Sequence, residues 1–216
     1  MMAVVTALKQ QKRNPQRINV YVDGEYRCAL YRITAAWLRI GQEVTETQLA
    51  ALLEKDGREA AYQQAYRLLE RRERTVAEIE RRLRERGFSD EIITDLLARL
   101  QESGVVNDNR FARNFVEARA TFRPRSRRAL RVELRQRGLQ EAQIAEALAD
   151  VDEGAMAYQV ALKQGRRLQA LAWQEFRQKL GAFLARRGFN YEVIAPVVRR
   201  VWNEQHSEDE SFDDAT

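Results

Sequence analysis

Between Arg119 and Arg137 the chain carries eight arginines and a single acid, Glu133. Arg123-Pro124-Arg125 reads as a loop, and Arg128, Arg131 and Arg135 follow at spacings of three and four. At 100° per residue that spacing puts the three on one helical face, turned away from the Leu130/Leu134 stripe. Guanidinium groups are planar forks of donors, suited to phosphate or carboxylate oxygens. The chemistry of the segment is therefore the binding of a polyanion or an acidic protein surface, with Arg119, Arg123, Arg125, Arg128, Arg131 and Arg135 as candidates. Arg127 and Arg137 lie nearer the apolar flank, where a long side chain can snorkel. A second cluster, Arg71, Arg72 and Arg74, stands beside Glu70 and Glu73, so local ion pairing competes with a binding role there.

Composition agrees with a charged partner. Of 37 basic residues 32 are arginine, and the net charge is +5. Five acids fall in the last ten residues, 207–216, so residues 1–206 alone carry +10. Such a balance favours nucleic acid or an acidic protein as partner. A codon bias toward arginine would also raise the count, so clustering has to decide. Catalysis finds no support: His206 is the single histidine, Cys28 the single cysteine, and no metal-ligand cluster or Gly-rich phosphate loop occurs. No cofactor is expected. One cysteine permits no internal disulfide, and neither a signal pattern nor a membrane-length apolar run is present, which points to the cytoplasm.

The elements that must position these arginines repeat. Residues 79–100, 130–151 and 180–201 align without a gap, bringing Gly87, Gly138 and Gly188 into register along with six apolar positions. Before each glycine the apolar residues are four apart, one helical face. An arginine followed by glycine is the pattern of a helix ending in a left-handed residue. Thr75 and Ser126 are placed to cap the helices before Gly87 and Gly138. A further helix precedes each pair, over 58–72, 108–120 and 153–169, with Asn107 or Asp108 as the second one's cap and Phe111 and Phe115 on its apolar stripe. The fold class is thus all-α: three tandem three-helix modules over 58–103, 104–152 and 153–206, elongated or curved, each too small to bury much by itself. The first 57 residues differ. Two β-prone runs joined by Asp23-Gly24 predict a hairpin, Val4 to Leu8 can add a strand, and short helices fit around 34–38 and 46–54. Residues 207–216 read as a disordered acidic tail. Trp37, Trp173 and Trp202 read as packing residues.

Three stretches resemble the RecX family of regulatory proteins: ALKQQKRNPQRINVYVDGEY (7–26), RRERTVAEIERRLRERGF (71–88) and SGVVNDNRFARNFVEARATFRPRSRRALRVELRQRG (103–138). The resemblance implies tandem three-helix modules, a monomer that binds along the groove of the RecA recombinase filament and its single- or double-stranded DNA, and damping of strand exchange, ATP hydrolysis and RecA-assisted repressor cleavage. The arginines named above would then meet RecA or DNA. Module three departs from the pattern, with Gly181 and Phe183 in place of charged residues, which weakens the expectation of equal roles. A different class is a stand-alone DNA reader with helix-turn-helix-like modules. It would need polar residues on a recognition helix, whereas 90–101 and 141–150 are acidic or apolar.

The repeat supplies an internal control. Positions matching Arg128/Arg131/Arg135 are Ala77/Glu80/Arg84 in module one and Gln178/Gly181/Ala185 in module three. Codon bias would not load one copy of a face and spare the others, so a binding face is favoured over an ordinary solvated one.

Overall fold

Asp-Gly between two alternating runs closes the hairpin as the residue types require. In the computed structural model, which describes residues 2–206, strands β2 (Arg17–Val22) and β3 (Glu25–Tyr31) meet at Asp23 and Gly24, with φ of 49° and 88°. Positive φ at both central residues is the type I′ requirement. β1 (Met2–Gln10) is the added strand, and β4 (Glu43–Thr45) completes an antiparallel sheet of order β3-β2-β1-β4. Val5, Val20, Leu30 and Val44 are buried on one face of it. Helix α1 (Arg32–Ala35) is a single turn. The acidic tail expected to be disordered lies outside the described residues.

The two helices expected over 46–54 and 58–72 are one: α2 runs Glu46–Leu69 straight through Gly57. A single interior glycine costs a helix only about 1 kcal/mol, and packing overrides it. A Cβ at Gly57 would sit 3.6 Å from Ile92, ordinary contact. Thr45 caps α2 in a box with Gln48. Further along, the buried Asp56 carboxylate pairs with Arg17 at 2.7 Å and accepts from the Tyr31 N–H, fastening the helix to the sheet.

Around the three aligned glycines the repeat forms helix–corner–helix pairs. Module one continues with α3 (Val76–Arg84) and α4 (Asp90–Glu102). Module two is α5 (Asp108–Phe122), α6 (Arg127–Gln136) and α7 (Glu141–Leu148). Module three is α8 (Glu153–Gly165), α9 (Trp173–Ala185) and α10 (Tyr191–His206). Gly87, Gly138 and Gly188 follow α3, α6 and α9 with φ of 81°, 85° and 93°. After each, the next apolar residue donates its N–H five residues back, as Leu139 does to the Leu134 carbonyl at 3.3 Å. With Gly138 bonded to Arg135 this is a Schellman ending, which satisfies carbonyls the helix leaves open. The cap of α5 is Asn107, whose side chain accepts from the Arg110 N–H; Asp108, the other candidate for that role, is the first helical residue instead. There its charge suits the positive end of the helix dipole.

Two compact units result, residues 1–106 and the residues from 107 on. In the first, the sheet and module one keep separate apolar clusters. In the second, one cluster runs through modules two and three, from Phe111 through Leu130, Leu134 and Ile144 to Phe176, Leu184 and Val198. Trp173 and Trp202 pack edge to face at 5.3 Å, but Trp37 is 76% exposed and does not fill a core. No described helix is long and apolar enough to cross a membrane.

Candidate functional site

Ser126 fixes where α6 begins. Its hydroxyl, fully buried, accepts from the Ala129 N–H at 3.1 Å, and its own N–H donates to the Arg187 carbonyl at 3.2 Å. From that start Leu130 and Leu134 turn into the core at 0% exposure, and Arg128, Arg131 and Arg135 come out exposed on one face. The face is partly neutralised. Glu141, at the start of α7, takes Arg131 at 3.0 Å and Arg135 at 2.7 Å, one on each oxygen. The hydrogen bond from Arg135 holds the Glu141 carboxyl below its usual range. Arg128 has no ion pair among the described residues, so the face keeps a net positive charge.

The loop arginines divide likewise. Arg119 and Arg125 share Glu133, at 2.8 and 3.1 Å, on the inner side of α6. Arg119 also lies 4.8 Å over the Phe115 ring. Arg123, the residue after α5, stays exposed. Both flank residues are occupied: Arg127 donates to the Leu148 carbonyl at 2.7 Å, closing the end of α7, and Arg137 lies 4.9 Å from the Phe115 ring centre. Within module two, then, Arg123, Arg128, Arg131 and Arg135 are outward, while Arg119 and Arg125 are tied to a half-buried carboxylate.

The other cluster, in the first unit, pairs locally, and a carboxylate partner comes from the next helix. Arg72 grips the buried Glu78 of α3 through two nitrogens, at 2.9 and 3.2 Å, and bonds the Glu73 carbonyl. Arg74 folds back to the Leu68 carbonyl at 3.3 Å; burial, and then the nearby Arg72 charge, lower its pKa. Arg71 is exposed. This cluster therefore staples the α2–α3 corner, and the two sets of arginines belong to separate units.

Sequence reasoning missed Glu141 as the counter-ion, yet the repeat holds its signal. Arg84 and Asp90 of module one occupy the positions of Arg135 and Glu141, and they too pair across the glycine corner, at 3.0 Å. Phe122 was passed over as well. It falls on the Phe111/Phe115 stripe by helical period, yet it ends α5 and is 80% exposed.

Burial, and then the Asp56 charge, push the Cys28 thiol up, away from the reactive thiolate. Among the described residues no group of three or more His, Cys, Asp or Glu is placed to hold a metal.

A small sheet followed along the chain by three-helix modules, with exposed arginines on their helices, defines a modular, helical-repeat class of protein. Models of the RecX domains match nearly end to end: the N-terminal domain of regulatory protein RecX over residues 3–45, and the first, second and third three-helix domains over 61–100, 107–148 and 152–198. The chain belongs to the RecX family of regulatory proteins. Among its relatives, the regulatory protein RecX of Chlorobaculum tepidum is 34% identical over 161 residues, covering 74% of this chain and all of that one. That of Bacillus cytotoxicus is 29% identical over 202 residues, 89% of this chain and 75% of that one. A crystal structure of regulatory protein RecX superposes with a TM-score of 0.66 at 26% identity, over 90% of this chain and 98% of that one. RecX from Lactobacillus salivarius shares the fold, with a TM-score of 0.61 at 19% identity over 68% of this chain and 97% of that one.

Proposed function

We propose that this protein works as a monomer in the cytoplasm, binds the RecA recombinase filament along its groove together with the DNA inside it, and restrains strand exchange, ATP hydrolysis and RecA-assisted repressor cleavage. The observation that carries the reading is the α6 face. Arg128, Arg131 and Arg135 are exposed on one side of a helix whose other side is locked into the core, and this charge occurs in one module of three. A rigid, singly placed basic face is what a repeating acidic or phosphate-bearing surface can dock on. Membership of a family of regulatory proteins supports the same reading.

The test is a strand-exchange and ATPase assay with the cognate RecA, with and without this protein. Both rates should fall as the protein is added. Unchanged rates at concentrations that saturate the filament would overturn the proposal. Tight, sequence-selective binding to duplex DNA without RecA would instead favour a stand-alone DNA reader.

A further inference from the structure

Phe122 is out of place for a side chain on a core stripe. It stands 80% exposed at the end of α5, beside exposed Arg123. Its ring borders a cleft of about 280 Å³ between the α5–α6 loop, α8 and the end of α9. The charged residues lining that cleft are all cations: Lys163 from α8, Arg167 from the turn that follows it, and Arg187 from the α9 corner. Among the described residues none of the three makes an ion pair. Arg187 donates to the Pro124 carbonyl at 3.3 Å and lies 4.7 Å over the Phe183 ring. Burial first, then the neighbouring Arg125 charge, lower its pKa. A half-buried guanidinium set against another cation, with no carboxylate of its own, is a place where an anion would be bound at a gain.

We infer that Phe122 and the Lys163/Arg167/Arg187 cleft form a binding site for single-stranded nucleic acid, in which a base stacks on the Phe122 ring and the adjoining phosphates lie on the cations. An exposed aromatic ring beside a cleft whose charged residues are all cations is the combination that holds unpaired strands. A duplex offers phosphates but keeps its bases stacked on one another, so the ring selects single strands. The cleft is lined by none of Arg128, Arg131 and Arg135, and it involves module three, whose own counterpart of the α6 face is neutral. The inference deepens the DNA-binding half of the proposed function and rests on it.

The experiment uses the full chain without RecA and reads fluorescence anisotropy on three labelled probes: a short thymidine oligonucleotide, an abasic strand of equal length, and a duplex. Phe122→Ala should weaken thymidine-strand binding by roughly 5- to 150-fold, the range that removal of a base–aromatic stack gives. It should change abasic and duplex binding little. Phe122→Leu should behave like alanine and Phe122→Trp like the wild type; with so exposed a side chain, none should disturb the fold. Lys163→Gln with Arg167→Gln should flatten the salt dependence on thymidine and abasic strands alike, by roughly 0.7 for each phosphate no longer neutralised. Unchanged thymidine binding by Phe122→Ala, or an equal loss on all three probes, would overturn the inference. So would intact thymidine binding with abolished RecA-filament binding, since the ring would then meet protein. If RecA activities ignore the protein while the thymidine-specific loss is seen, the filament reading falls and this site stands. If those activities respond while Phe122→Ala binds thymidine normally, the site falls and the filament reading stands.

Discussion

Glu141 decides how much of the α6 face a partner can use. A polyanion must compete with it for Arg131 and Arg135, whereas Arg128 has no such competitor among the described residues. Changing all three arginines to alanine should abolish most filament binding and leave the circular dichroism intact, because the side chains are exposed and alanine favours helix. Full retention of binding and inhibition by the folded triple variant would reduce the face to solvated surface. Glu141→Gln should do the opposite. It frees two guanidinium groups, so filament affinity should rise and its salt dependence steepen, by roughly 0.9 for each additional duplex phosphate neutralised. Anisotropy titrations at several salt concentrations measure both. Mild acid should not imitate the substitution. Arg135 keeps the Glu141 carboxyl ionised below the ordinary glutamate value of ~4.3, and the pair is lost only as pH falls through that depressed value. The direction of each arginine was legible in the sequence because 100° per residue fixes it. The counter-ions were not, because Glu133 and Glu141 meet their arginines across a loop and a helix corner, where spacing along one helix says nothing. The same limit left Phe122 unread: the expected helix ends at 120, and although Phe122 continues the Phe111/Phe115 period, the period does not say where the core stops.

At the level of the element, the glycine corners were the most legible feature, since three aligned copies carry one physical requirement. They are not equally demanding. At Gly87 a Cβ would enter open space, so Gly87→Ala should cost only the left-handed strain, about 1–2 kcal/mol. At Gly188 the Cβ would stand 2.6 Å from the Ser126 hydroxyl oxygen and 3.1 Å from the Ala129 Cβ. Ser126 cannot swing aside without giving up the cap of α6, itself worth about 0.5–2 kcal/mol. Gly188→Ala should therefore cost about 1.5–4 kcal/mol, the sum of the strain and the cap, and urea unfolding of the two variants compares them directly. Equal losses would mean that the Ser126 side chain gives way freely. Other elements were misjudged for identifiable reasons. Gly57 looked like a boundary between two helices, but one glycine is a weak breaker against the buried Asp56 anchor and the packing of a 24-residue helix. β4, at three residues, is too short to show alternation and is defined by its pairing with Met2–Val4.

On the scale of the whole chain, the modules proved less independent than a string of equal repeats. Module one has its own apolar cluster, whereas modules two and three divide a single one between them. A fragment of residues 107–206 should melt cooperatively, and a fragment of 107–152 should not, because Leu130, Leu134 and Ile144 would be parted from Phe176, Leu184 and Val198 of their cluster. Differential scanning calorimetry on the two fragments is the check; a cooperative transition in the shorter one would make module two self-sufficient. The divided core also has a consequence for synthesis. A ribosome delivers α5, α6 and α7 before the helices that cover them. At 5–20 residues per second the roughly fifty residues of module three take roughly 3–10 s to arrive. For that interval the nascent chain shows bare leucine and isoleucine side chains next to its most basic segment, a combination that chaperones and stray nucleic acid both find attractive. Translation pauses placed after residue 152 would lengthen the exposure, and pauses before residue 107 would not.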